Sequence, residues 1–159
     1  MKTAVRMDRE KAKELLAQVD AVLSSSVTEH EKRQKVVGLL NQVPRYNWVG
    51  IYLVRGTDLH LDAWAGPAPT VHTVIQIGKG ICGWAAKSGR TEIVSDVNKD
   101  SRYLQCFTST KSEIVVPIGH DGKIVGEIDI DSDELNAYSS MDREFLEALA
   151  AKISKAIVA

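Results

Sequence analysis

Residues 106–131 read CFTSTKSEIVVPIGHDGKIVGEIDID, and the way this stretch turns back on itself decides the fold. Two β-branched runs flank His120-Asp121-Gly122, the pattern of a β-hairpin. Its apolar face should carry Ile114, Val116 and Ile118 on one strand and Ile124, Ile128 and Ile130 on the other. A two-residue loop at Asp121-Gly122 would set Ile114 against Asp129 and Val116 against Glu127, mixing apolar and charged side chains on each face. A three-residue loop, His120-Asp121-Gly122, pairs Ile118 with Ile124, Val116 with Gly126 and Ile114 with Ile128. Register fixes the face each side chain takes, so the three-residue loop is expected, with Gly122 in its left-handed position.

In that register Glu113 lies opposite Asp129, and Asp131 follows one step further on the same face. Three carboxylates within roughly 5–7 Å repel unless a positive group sits among them or one takes up a proton. A neighbouring Lys or Arg, a metal ion or a ligand ammonium would each answer, and a solvated polar face is the plain alternative. A Ca²⁺ or Mg²⁺ site would lack the ligand spacing of an EF-hand.

Outward from the hairpin, Leu15, Leu16, Val19, Val22 and Leu23 recur at helical spacing, so residues 8–23 predict an amphipathic helix ending at Ser24. Thr28-x-x-Glu31 has the form of a capping box and starts a second helix, which Pro44 stops. Asn47 to Val54 reads as a buried strand. Its partner runs from Leu59 to Ala65, with Leu59, Leu61 and Ala63 on one side. Gly78-Lys79-Gly80-Ile81-Cys82-Gly83 precedes a short helix ending at Gly89, where the helix dipole would favour a Cys82 thiolate. The same residues also fit a plain core face, and neither phosphate-binding glycine pattern is satisfied. Phe145, Leu146, Leu149, Ile153 and Ile157 define a last helix from Ser139-Ser140. Hairpin-joined strands with helices at the chain ends give an α+β fold, an antiparallel sheet with helices on one face.

At 159 residues, 44% hydrophobic and 26% charged, the chain is expected to form one domain over 1–159, with 1–26 an N-terminal amphipathic helix. A net charge of −1 gives no reason to expect nucleic acid or an anionic membrane as partner. No apolar run is long enough to span a bilayer, and no h-region follows the first basic residues, so a cytoplasmic protein is expected. The N-terminal helix makes a homodimer the expected assembly. The two cysteines, Cys82 and Cys106, lack zinc-ligand clustering and stand either as buried free thiols or as a redox pair.

Several runs together resemble the free methionine-(R)-sulfoxide reductases, which are single-domain GAF proteins. They are Tyr46-Asn47-Trp48-Val49-Gly50-Ile51-Tyr52-Leu53, Gly78-x-Gly80-Ile81-Cys82-Gly83, Ser112-Glu113-Ile114-Val115-Val116-Pro117 and Gly126-x-Ile128-Asp129-Ile130-Asp131. Tyr138-Ser139 with Asp142-Arg143-Glu144 extends the likeness, which covers about residues 28–157. The resemblance implies that Cys106 attacks the sulfoxide and that Glu113, Asp129 and Asp131 hold the free amino acid. Trp48 and Tyr52 would complete the substrate-binding set. It further implies a Cys106 sulfenic acid, a disulfide with a second thiol, which here is Cys82 or one from outside the chain, and reduction by a thioredoxin-type dithiol, with no cofactor and no metal. A GAF ligand or redox sensor is the other role such a domain takes. The chain departs from the family where His72 replaces a third cysteine, where Trp84 replaces a small residue and could fill the pocket, and at Tyr103 and Phe107 beside the catalytic cysteine.

Overall fold

The computed structural model describes residues 6–105 and 107–158. Six strands form one antiparallel sheet: β1 (Trp48–Arg55), β2 (Asp58–Ala65), β3 (Val74–Gln76), β4 (Glu92–Val94), β5 (Ser112–His120) and β6 (Lys123–Ser132). Their order across the sheet is β3-β2-β1-β6-β5-β4, so the hairpin lies at its centre with β1 against β6.

Strand alternation splits the side chains between two cores. Val49, Ile51 and Leu53 of β1, with Ile114, Val116, Ile118, Ile128 and Ile130 of the hairpin, face α1 (Arg9–Leu23), α2 (Glu29–Asn41) and α4 (Ser140–Ile153). A one-turn α5 (Lys155–Val158) ends the described chain. Trp48, Tyr52, Leu59 and Val115 face the other way, against α3 (Gly80–Ser88). The helices at the chain ends thus cover one face, as expected, while the short inserted helix and its loops roof the other.

The caps follow the sequence closely. Thr28 Oγ1 accepts from the Glu31 amide at 3.2 Å, while the Thr28 amide donates to Glu31 Oε2 at 3.0 Å. Ser139 and Asp142 form the same reciprocal box at the start of α4. Gly89 closes α3 at φ 70°, in the left-handed conformation that glycine adopts without penalty.

The hairpin register differs from expectation. The loop has two residues, Asp121 at φ 50° and Gly122 at φ 76°, with His120 paired to Lys123. Two successive left-handed residues make a primed turn, whose twist suits the strands it joins. A bulge between Ile118 and Gly119 then shifts the pairing, leaving Val125 as the extra residue. Beyond it Ile114 faces Ile130, Val116 faces Ile128 and Glu113 faces Asp131, not Asp129. Around the bulge Val125 takes the helix-facing side and Ile124 turns to the α3 side. A second irregularity, where β1 pairs Ile51 with Ala63 but Tyr52 with Leu61, splits Ala63 from Leu59 and Leu61 in the same way. It leaves Asp62 on the α2 side, bound by Arg33 at 2.6 Å.

Candidate active site

On β6, residues 127, 129 and 131 share the face under α3, because side chains alternate along a strand. Each has two flanking partners. Asp131 lies between Trp48 and Glu113, Asp129 between Gly50 and Val115, and Glu127 between Tyr52 and Pro117. The corrected register moves by two residues, so Glu113, Asp129 and Asp131 still share one face, and Glu127 joins them. This fourth carboxylate was missed in the sequence, although the alternation in Glu127-Ile128-Asp129-Ile130-Asp131 carries it plainly.

The face is not solvated. Glu113 is 5% exposed, Asp129 and Asp131 3%, and Glu127 0%. Among the described residues none of the four forms an ion pair. Both Glu127 oxygens and one Oδ1 each of Asp129 and Asp131 lack a hydrogen-bond partner. His72 lines the same cavity as Glu113 and Asp129 and favours the charged form of Asp129.

Burial, then the charges of Asp129 and Asp131, pushes Glu113 well above the usual carboxylate range. Glu113, Asp129 and Asp131 act on one another, so the protonation of each depends on that of the other two. Asp131 is raised by burial and by Asp129. Asp129 is raised by burial against the pull of Glu113, Cys82 and His72. Glu127 is raised by burial and by Asp129. The arrangement therefore stores protons and calls for a cation.

Cys82 hangs over this face from the first turn of α3, its Sγ donating weakly to Glu113 Oε2 at 3.9 Å. The dipole effect expected there is overridden: burial first, then Asp129, Glu127, Glu113 and Asp131, pushes the thiol well above its ordinary value. Cys82 Sγ and one oxygen each of Glu113 and Asp129 lie within 4.8 Å of one another, a set compact enough to surround a cation. The cavity between Cys82, Glu113, Asp129, Tyr52, His72 and Leu104 is about 20 Å³, room for a water and not for an amino acid.

Trp48 forms the wall beside Asp131. A Cβ on Gly50 or Gly66 would run into its indole, so the ring lies flat across β1 where those glycines leave space. Its Nε1 donates to Ala68 O at 3.2 Å, and Trp64 stacks on it at 6.4 Å with the planes 12° apart. Tyr52 Oη donates to His72 O at 2.8 Å, and His72 Nε2 bonds the Gln105 carbonyl at 3.0 Å. Phe107 packs on Trp48 at 6.2 Å. Cys106 lies outside the described residues. Trp84 does not fill the pocket: it is 42% exposed on α3, with the Lys87 ammonium 5.7 Å from its ring. Among the described residues no helix is long and apolar enough to cross a membrane.

Comparison with known proteins gives a consistent picture. The GAF domain family pattern matches residues 29–157. The free methionine-R-sulfoxide reductase of Saccharomyces cerevisiae is 44% identical over 116 residues, covering 70% of this chain, which spans 63% of that enzyme's length. The type II free methionine-R-sulfoxide reductase of Thermoplasma acidophilum superposes with a TM-score of 0.79 at 36% identity, over 81% of this chain and 92% of its own. The Neisseria meningitidis free methionine-R-sulfoxide reductase, solved in complex with its substrate, gives a TM-score of 0.87 at 30% identity over 99% and 96%.

Proposed function

We propose that this chain, which belongs to the free methionine-(R)-sulfoxide reductases of the GAF family, reduces free L-methionine-(R)-sulfoxide to methionine. One observation carries the reading: Glu113, Asp129 and Asp131 are buried together, and among the described residues none of them has an ion-pair partner. A free amino acid brings an ammonium to that place, the space of about 20 Å³ there widening to admit it, and a peptide-bound methionine sulfoxide brings none. Trp48 and Tyr52 supply the apolar wall for the side chain.

The chemistry runs in two halves. Cys106 attacks the sulfoxide sulfur as a thiolate, and the proton held on Glu113 passes to the sulfoxide oxygen. Oxygen transfers to the cysteine, the S–O bond to substrate breaks, and methionine leaves with Cys106 as sulfenic acid. Cys82 then condenses with it to a disulfide, releasing water, and a thioredoxin-type dithiol restores both thiols. With His72 in place of a third cysteine, resolution falls to Cys82. No metal or organic cofactor enters this scheme. The domain extends over 1–159 with its N-terminal helix in 1–26, the working form is a homodimer, and the reducing cycle belongs in the cytoplasm.

The test is direct. The protein is incubated with free L-methionine-(R)-sulfoxide and either dithiothreitol or thioredoxin with its reductase, and methionine is followed. Turnover with the free (R) epimer and none with the peptide-bound form is expected. No turnover, or equal turnover in Cys106→Ser, sinks the reading.

A further inference from the structure

Cys82 brings a sulfur to a face otherwise made of carboxylates. Its Sγ stands 3.9 Å from Glu113 Oε2. That sulfur and one oxygen each of Glu113 and Asp129 all lie within 4.8 Å of one another. The three residues are buried and line one cavity of about 20 Å³. A zinc-type ion holding one sulfur and two oxygens tetrahedrally spaces them about 3.4–3.6 Å apart. The sulfur and the Glu113 oxygen are already within a few tenths of an ångström of that spacing.

Asp129 supplies the second, independent observation. It is 3% exposed and lines that cavity, yet its Oδ1 has no hydrogen-bond partner among the described residues. A buried carboxyl oxygen without a partner costs stability. Beside a thiol and a second carboxyl, it completes a donor set for a cation. The donors also select which cation. Ca²⁺ takes roughly six to eight oxygens and Mg²⁺ keeps several waters around it, which this cavity has no room for. A sulfur ligand instead favours thiophilic ions such as Zn²⁺. Three protein donors leave a fourth position for a water, and the space holds one.

We propose that Cys82, Glu113 and Asp129 form a binding site for a thiophilic divalent cation of the Zn²⁺ class, which takes the place of the substrate ammonium and blocks the site. On binding, the Cys82 S–H bond breaks, a metal–sulfur bond forms and the proton is released to solvent, with no electron transferred. The ion is a reversible blocker and takes no part in sulfoxide reduction. The donor set stands on its own geometry. The exclusion of substrate rests on the reading of this face as the ammonium site.

The experiment uses Cd²⁺, whose bond to a thiolate gives an ultraviolet charge-transfer band. Wild type and Cys106→Ser, reduced and then freed of reductant without air, are titrated with Cd²⁺. Both should develop the band at one ion per chain, and Zn²⁺ but not Ca²⁺ or Mg²⁺ should displace it. Placed in the Cys106→Ser background, Cys82→Ser should abolish the band, and Glu113→Gln and Asp129→Asn should each weaken binding at least about tenfold. No band in Cys106→Ser, whose cluster is native, overturns the inference without recourse to the other variants. Undiminished affinity in both carboxamide variants also overturns it, since the thiol alone would then hold the metal. Free L-methionine-(R)-sulfoxide should move the Cd²⁺ midpoint of Cys106→Ser upward, and the D-amino acid, an equal chelator in solution, should not. A band that the L-amino acid leaves unmoved, in a protein whose wild type turns over, overturns the shared site. A wild type with the band and no turnover would sink the reductase reading and leave the cation site standing.

Discussion

Glu113 stands directly across the β5–β6 ladder from Asp131, two acids facing each other inside the protein with Trp48 on the far side of the aspartate. Like charges directly opposite on a sheet destabilise it, and here burial removes the water that would screen them. In the proposed cycle the substrate ammonium is what relieves the pair. Glu113→Gln and Asp131→Asn should therefore lower kcat/KM by about 10- to 100-fold, the worth of a hydrogen bond to a charged group. Each should also leave the free protein as stable as wild type or raise its Tm by about 2–4 °C for every kcal/mol of repulsion relieved. Thermal melts with and without substrate, beside steady-state kinetics, give both readouts. Unchanged kinetics with lowered stability would mean that the pair serves packing alone.

The same cluster sets the pH dependence of folding. Glu113, Glu127 and Asp131 are held well above the ordinary carboxylate value in the folded protein. The native state therefore binds more protons than the unfolded chain between that ordinary value, near about 4, and the raised one. Their contribution to stability is fully present below the unfolded value and is lost as pH rises through the folded values. Asp62, lowered by Arg33 and His30, acts oppositely and loses its contribution in acid. Stability should peak in mild acid and decline toward neutrality and above. Melts across that range should show the decline in wild type and a shallower one in Glu113→Gln. A flat wild-type profile would count against a protonated cluster.

The place of Trp48 depends on an absence. The indole lies where a Gly50 side chain would be, so a methyl group there collides with the ring and not with backbone. Gly50→Ala should push the indole away from Asp131, raising KM about tenfold at an overpacking cost of about 1–3 kcal/mol. Loss of the Trp48–Trp64 stacking should appear as a change in near-ultraviolet circular dichroism. A KM equal to wild type with that signal altered would remove Trp48 from the substrate wall.

How much of this was legible beforehand follows from what local pattern can encode. The Thr28 and Ser139 caps, the helix stop before Pro44 and the glycine end of α3 are local, and sequence locates them closely. The antiparallel sheet and the gathering of Glu113, Asp129 and Asp131 on one face follow from strand alternation, which survives a register shift of two. The pairing itself was not legible. A bulge at Val125 reconciles a two-residue turn with matched apolar faces, and continuous alternation has no means of expressing it. Ile124 and Ala63 changed faces for that reason. Trp84 points to solvent because the buried face of α3 centres on Cys82 and Ala86, each two residues from it and so on the opposite side of the helix. Glu127 was overlooked although its spacing placed it correctly.

Cys82 separates two reductants. Its sulfur sits 3.9 Å from a Glu113 oxygen in an enclosed space of about 20 Å³. A small thiol with access to Cys106 would reduce the sulfenic acid directly, whereas a protein dithiol acts on a disulfide. Cys82→Ser should keep turnover with dithiothreitol within about threefold of wild type and lose nearly all of it with thioredoxin. The serine hydroxyl preserves a donor toward Glu113, so the carboxylate cluster keeps its neighbour and a fall with both reductants is not expected. Equal thioredoxin-supported rates in wild type and Cys82→Ser would assign resolution to a thiol from outside the chain, and would leave the contact with Glu113 as the whole of what Cys82 does in the cycle.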